Sequence, residues 1–354
     1  MKIFLSKQTG LSLVEIMVAL VISLFLMGGI TQVYLGNNAS YRFSDASSRI
    51  QENGRFVLDT ITTDVRMSGF WGCISFQEDD GDGQLADDNP SIQNHLNRDS
   101  DNFDTDLHDF INNPSMTATV NDGLNGSDSL TLRGTKPGSY SFTGNLTSPG
   151  DGTISVVANN NLSDNDIILI TNCFTADIFE ATTVSADGTT ITHTSAAATN
   201  TPGNSNPNDC AGTGSHCLLD KNDQPFTPNN AAAFSLQSVT YSVQLSGSGS
   251  GEPALWRSVN NINQELIEGI EQMQILFGED TSGDGSPNQY RTSDQVADPN
   301  QVTAIRIWLV VRSERENVLD ESQIYIIDGV NESQDDNRLR QVFSTTIALR
   351  NRTG

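Results

Sequence analysis

The chain has 354 residues and a formal net charge of −25, with 44 Asp and Glu against 19 Lys and Arg. That sign excludes nucleic-acid binding through phosphate contacts, which needs basic patches, and it excludes electrostatic attraction to anionic lipid. Aromatic residues make up 7% while Asn, Asp, Gly, Ser and Thr abound, which predicts a β-rich core with long polar loops in one large domain or two ordinary ones.

Lys2 and Lys7 lie ahead of an apolar run. No charge occurs from Ile16 to Tyr41, and IMVALVISLFLMGGI with its flanks is long enough to span a bilayer as a helix. The basic flank predicts a cytoplasmic N-terminus and export of the bulk of the chain. A secretory signal peptide would carry a small-x-small cleavage site after the run, and none follows here. A plain signal anchor accounts for everything except Glu15. A carboxylate inside a membrane helix costs about 2.5–3.5 kcal/mol and by default marks function. Its natural partner is a positive charge at the same depth on another subunit, and a free α-amino group would serve if the chain were cut just before the run.

From about residue 46 the chain reads ASSRIQENGRFVLDTITTDVRMSGF. Ile50, Gly54, Val57, Leu58, Ile61 and Val65 recur at steps of three and four, with Arg49, Glu52, Arg55, Asp59 and Arg66 off the stripe. Arg55 and Asp59 stand at i, i+4, and Gly69 is a stop. The spacing predicts one helix from Leu11 to about Met67, roughly 85 Å long. Its alternative is a juxtamembrane stalk whose stripe is free to form a coiled coil.

Residues 77–109 hold eleven acids against one Arg, and 199–215 are rich in Asn, Pro, Gly and Ser. Both read as surface loops, an acidic insert over about 77–115 and a polar loop over about 199–230. Period-two stretches predict strands at 129–133, 153–157, 166–171, 178–184, 189–193, 236–245, 254–259, 273–277, 302–311 and 341–349. SGSGSG before Glu252 reads as a flexible hairpin connection.

Two stretches resemble calcium loops. In DTSGDGSPN, Asp280, Ser282, Asp284 and the Ser286 carbonyl fall at positions 1, 3, 5 and 7 with Gly285 at 6, but position 12 is Arg291. In EDDGDGQLADDN, Glu78, Asp80 and Asp82 precede Gly83, and the stretch ends at Asn89. A calcium at either would brace a loop; both also read as solvated acidic turns, and no other cofactor is indicated. Cys73, Cys173, Cys210 and Cys217 are an even set, as expected of two disulfides in an exported chain. Three pairings are open. Cys210–Cys217 as a local clip and Cys73–Cys173 as a long bridge are favoured, worth about 2.5 and 4.7 kcal/mol by chain entropy. Cys210, His216 and Cys217 lack zinc-ligand spacing. His95, His108 and His193 show no metal spacing either, and no nucleophile elbow, Walker A or H-E-x-x-H occurs, so an enzyme is not expected.

The run G10-L11-S12-L13-V14-E15 resembles the type IV prepilin signature. The resemblance implies cleavage by prepilin peptidase between Gly10 and Leu11, N-methylation of Leu11, and pairing of Glu15 with a neighbouring subunit's N-terminal amine. Leu11 departs from the Phe more usual there. Further on, MSGFWGC (67–73), IILITNCFTADIFEAT (167–182), MQILFGEDTSGDGSPNQY (273–290), VTAIRIWLVVRS (302–313) and RLRQVFSTTIALRN (338–351) are similar to the PilW family of minor pilins. The acidic insert and 199–230 match it poorly. The resemblance implies an α+β, type IV pilin-like fold: a leader (1–10), a transmembrane and assembly half of the helix (11–36), an amphipathic half (37–70), and a β-rich globular domain (71–354) whose antiparallel sheet the helix packs on. It also implies a Cys73–Cys173 pairing. As function it implies a low-abundance subunit that helps initiate pilus assembly. Its partners would be the major pilin, other minor pilins, the inner-membrane assembly platform and a PilY-type tip adhesin. The rivals are a J-type pseudopilin of type II secretion and a membrane-anchored adhesin whose loops at 77–115 and 199–230 touch a ligand.

Overall fold

A computed structural model describes residues 12–73, 92–111, 113–136, 138–146, 150, 152–158, 162–195, 201–205, 218–219, 225–228 and 231–349. Helix α1 runs Leu13–Met67, 55 residues without a break. Ser12 caps it in an extended conformation, its hydroxyl accepting from the Glu15 N–H at 3.3 Å. At the far end Gly69 takes φ +72, the left-handed conformation that stops a helix at no steric cost.

The strands in chain order are β1 Ile92–Asn94, β2 Met116–Thr119, β3 Ser129–Thr135, β4 Tyr140–Ser141, β5 Gly152–Ser155, β6 Ile167–Thr171, β7 Ala176–Glu180, β8 Thr183–Val184 and β9 Thr190–His193. They continue as β10 Ala232–Leu245, β11 Pro253–Val259, β12 Ile262–Glu268, β13 Ile270–Glu279, β14 Gln289–Arg291, β15 Val302–Arg312, β16 Ile324–Ile327, β17 Val330–Ser333 and β18 Arg340–Ala348. A short helix, α2, spans Thr105–His108.

Two sheets organise the domain. The larger follows β1-β7-β6-β10-β11-β12, with β3 and β4 also on β10 and β2 on β3; the C-terminal sheet runs β14-β13-β15-β18. β10 is long enough to serve two neighbourhoods. Its first residues pair with β4 and β6, its later ones with β3 and β11. Among the described residues every ladder is antiparallel except β1 beside β7, in keeping with the antiparallel sheet expected from sequence.

The stripe on α1 is buried as its periodicity predicts. Ile50, Gly54, Val57, Ile61 and Val65 pack with Leu130 and Leu132 of β3, Val239 and Tyr241 of β10, and Ile305, Ile307 and Ile347 of the C-terminal sheet. The free-stalk alternative is thereby corrected: that stripe is core. Asp64 locks the last turns, accepting from the Tyr241 hydroxyl at 2.5 Å and from Arg257 Nε at 2.9 Å. Gly54 permits the closest approach, because a Cβ there would lie 2.6 Å from the Phe343 ring. Gly54→Val is therefore expected to destabilise by about 2 kcal/mol, although a glycine-to-side-chain change in an open helix stabilises it. Thermal melts of this variant with and without Phe343→Ala check the cause, since shrinking the ring should recover part of the loss.

Three expectations need correction. Residues 92–111 of the acidic insert are not a surface loop. Leu96, Phe110 and Ile111 join Trp71, Ile167, Leu169, Ile178 and Phe234 in a core that covers the second face of β6. β6 is buried on both faces, Ile168 and Ile170 lying in a different cluster under the β5-β9-β8 sheet. The predicted strand at 178–184 is two strands, because β7 stays in the large sheet and β8 leaves for the small one. The Ser-Gly loop is pinned: Ser246, Ser248 and Ser250 hydroxyls all donate to the Glu268 carboxylate, and the Gly247 N–H donates to Glu265 at 2.7 Å.

Candidate assembly site

Among the described residues, nothing packs on the apolar first half of α1. Its large apolar side chains, from Leu13 through Phe25 to Leu35, stand exposed, and it is long and apolar enough to cross a membrane. Its hydroxyls are satisfied within the helix, Ser23 donating to the Ala19 carbonyl at 2.7 Å and Thr31 to that of Met27 at 2.8 Å. Glu15 is the one charged side chain from Ser12 to Tyr41. It sits in the first turn, where the unpaired N–H groups of the helix favour negative charge, and its side chain is exposed. An uncovered apolar rod carrying a single carboxylate at its tip can bury itself in lipid or against like helices, and the carboxylate then needs a cation brought by another chain.

Gly10 and Leu11, the expected cleavage pair, lie outside the described residues. So do Cys210, Cys217, His216 and the second acidic stretch with Glu78, Asp80 and Asp82. Cys73 and Cys173 are disulfide-bonded, with Cα atoms 5.0 Å apart. The bond ties the segment just after α1 to the β6–β7 turn, where Asn172 accepts from the Phe174 and Thr175 N–H groups.

The turn at 280–286 has the local shape of the calcium expectation but a different use for its carboxylate. Asp280 Oδ1 accepts from the N–H groups of Ser282 and Gly283 and from the Ser282 hydroxyl, while Oδ2 accepts from the Gly285 N–H at 2.6 Å. Burial works against the charged form, but these donors outweigh it and hold the Asp280 carboxyl below its ordinary value. Asp284 turns to the Ser286 N–H instead. Among the described residues no group of three or more His, Cys, Asp or Glu side chains gathers as a metal site.

Two buried polar networks were not legible. Arg340, almost wholly buried, makes paired contacts with Glu271 at 2.6 and 2.9 Å and with Asp336 at 2.7 Å, and Arg312 and Arg338 share Glu252 beside it. The Arg340 side-chain hydrogen bond holds the Asp336 carboxyl down at about 2. The second network is His95 on Asp177 at 3.6 Å with His193 nearby. Burial, with the His95 charge adding to it, pushes His193 down to about 4. The unfolded chain, with His near 6.5, then binds a proton the folded one refuses. That contribution is present above pH 6.5 and is lost as pH falls toward 4, at most about 3 kcal/mol. Burial of Asp177 raises its carboxyl and works in the opposite sense. His193→Gln is expected to narrow the gap between melting temperatures at pH 7.5 and 4.5 relative to the wild-type chain, and an unchanged gap would show that this imidazole is not the group responsible.

Comparison with known proteins fits this geometry. Residues 5–31 match the model described as prokaryotic N-terminal methylation motif, the segment that holds Gly10, Leu11 and Glu15. The matched segment runs into α1, a helix long and apolar enough to cross a membrane. Residues 240–351 match the model for type IV pilus-assembly protein W, a span that runs from the middle of β10 through β18. The C-terminal third of the chain is thus similar to the PilW family of type IV pilus-assembly proteins. The blocks at 67–73 and 167–182 lie outside the matched span. A solved type IV-like pilin from Thermus thermophilus is similar over 34% of this chain and 70% of its own, at 12% identity and a TM-score of 0.22, a likeness too loose to carry argument. No curated protein matches the sequence.

Proposed function

We propose that prepilin peptidase cuts the chain between Gly10 and Leu11, that Leu11 is N-methylated, and that the protein then helps initiate a type IV pilus and stays at or near its tip. Before assembly it sits in the inner membrane with its N-terminus cytoplasmic and its β domain periplasmic. The observation that carries this reading is the lone Glu15 in the first turn of a 55-residue helix whose apolar half is uncovered. Removing the leader would place a free amine one turn before that carboxylate, and the same two groups on adjacent chains would then meet at equal depth in the membrane. Other minor pilins, the major pilin and the assembly platform are the partners, with a PilY-type adhesin above. The role is structural and not catalytic.

Shearing surface fibres and blotting them for this chain tests the reading, together with the intact mass of the envelope form. Trace protein in the fibre at the mass beginning with Leu11 supports it. Processed protein absent from sheared fibres would assign the chain to type II secretion as a J-type pseudopilin, and a mature mass unchanged in Gly10→Val would refute the cut site. A structural calcium at Asp280, Ser282, Asp284 and Ser286 is a separate proposal, for which the loop supplies two carboxylates. Calorimetric titration at millimolar calcium decides it, because absence of binding heat retires it.

A further inference from the structure

The two faces of the C-terminal sheet are covered differently. The inner face is sealed, with Ile275, Ile305, Ile307 and Ile347 packed in the core that takes the α1 stripe. Half of the outer face is covered as well, where Tyr325 and Ile327 of the β16–β17 hairpin lie on Val310, Trp308 and Val342. The other half is open. Two rows cross it, Leu276–Arg306–Thr346 and Tyr290–Gly278–Ala304–Ala348, and Leu276 joins none of the core clusters.

The charge on these two rows is Arg306, and it is held in place. Its guanidinium carbon lies 3.8 Å over the Tyr290 ring and 5.8 Å from the centre of the Trp308 ring, and its Nε donates to the Thr346 hydroxyl at 3.2 Å. Gly278 leaves room for this stack, because a Cβ there would stand 2.9 Å from the Tyr290 ring. The side chain is therefore ordered before any partner arrives, which lowers the entropy cost of pairing. Arg306 is only half-buried, and its two terminal nitrogens have no partner among the described residues. The other arginines of this sheet are answered: Arg291 by Glu279, Arg312 by Glu252 and Glu271, and Arg340 by Glu271 and Asp336. In a chain with 44 acids against 19 bases, an arginine that the fold leaves without a carboxylate is an open electrostatic position. Arg, Tyr and Trp are also the residue types that carry most binding energy at protein interfaces, and all three adjoin here.

We propose that the open half of this face docks another protein chain through an aspartate or glutamate side chain, which pairs with the terminal nitrogens of Arg306 while an apolar neighbour covers Leu276. One isolated cation answers a single carboxylate. The net charge of −25 on the remaining surface repels a polyanion, and it repels a second copy of this chain. The planar fork of N–H groups on a carboxylate also sets the partner's orientation. The contact does not depend on where in a fibre the chain sits.

Calorimetric titration of the full chain in neutral detergent micelles tests this, with a capped pentapeptide carrying a central glutamate between two tyrosines and its glutamine and lysine counterparts. The wild-type chain is expected to bind the glutamate peptide at least tenfold tighter than the other two. Arg306→Gln should remove that preference, and Arg306→Glu should turn it toward the lysine peptide, a reversal that a merely structural arginine would not produce. The comparison of the glutamate and glutamine peptides on the wild-type chain stands even where a variant folds poorly. No glutamate-peptide binding at millimolar concentration, equal binding of the glutamate and glutamine peptides, or a preference kept by Arg306→Gln would each overturn the proposal. Self-association of the wild-type chain that Arg306→Gln abolishes would give the surface to a second copy and overturn it too.

Discussion

Glu15→Ala is expected to leave the protein inserted and processed and to cut its incorporation into fibres by about two orders of magnitude. The carboxylate costs about 2.5–3.5 kcal/mol at membrane depth, and a paired amine on a neighbour must return at least that much for assembly to proceed. At 1.4 kcal/mol per decade that is roughly a hundredfold in the docking equilibrium. Alanine removes the cost as well as the gain, so the variant inserts readily but lacks the contact that draws it beside another helix. Blotting membrane and sheared-fibre fractions separates the two effects. Normal incorporation of the alanine chain would dismiss the ion pair, whereas lost membrane insertion would mean the residue acts before assembly.

Removal of the Cys73–Cys173 bridge ranks second. The cysteines are 100 residues apart, and closing a loop of that length stabilises by about 4.7 kcal/mol in the chain-entropy model. Strain or residual structure in the unfolded chain would reduce the figure. The core that depends on this bridge packs Trp71 edge-on to Phe110, with ring centroids 6.1 Å apart, and packs Phe234 against Phe70 at 6.3 Å. That cluster draws residues from both sides of the insert, so it is the part expected to open first. The Cys73→Ser, Cys173→Ser chain should melt at least about 10 °C lower by calorimetry. A loss under about 2 °C would mean the insert is held by packing alone.

Some of this protein can be read directly along the chain. The periodicity of Ile50, Gly54, Val57, Ile61 and Val65 states which helix face is covered, because steps of three and four place side chains on one stripe regardless of what covers it. The alternation in SVTYSVQL does the same for β10. The carboxylate ahead of an unbroken apolar run is legible in the same way, since Glu15 is the one charge from Ser12 to Tyr41. The β16–β17 hairpin was also legible and was passed over: Asp328 and Gly329 both take positive φ between IYII and VNES, the signal for a two-residue turn.

Other features depend on residues far apart in sequence. The acids of 77–109 read as solvent-facing, and composition cannot reveal that Leu96 and Phe110 among them cover β6, because burial is settled by a strand more than fifty residues away. β12 was missed for a related reason. As an edge strand it needs only one neighbour, so its sequence carries little apolar alternation. The Ser-Gly loop has the composition of a flexible linker, and it is ordered only because β12 brings Glu265 and Glu268 under it. Arg340 looks like any surface arginine until the fold places Glu271 and Asp336 around it. The chain by itself determined the long apolar helix, its lone carboxylate and most of the strands, since these rest on local spacing. The Cys73–Cys173 bridge favoured from sequence is present, whereas tertiary structure alone decided the partners of the buried charges, since these depend on which distant residues fill the space beside them.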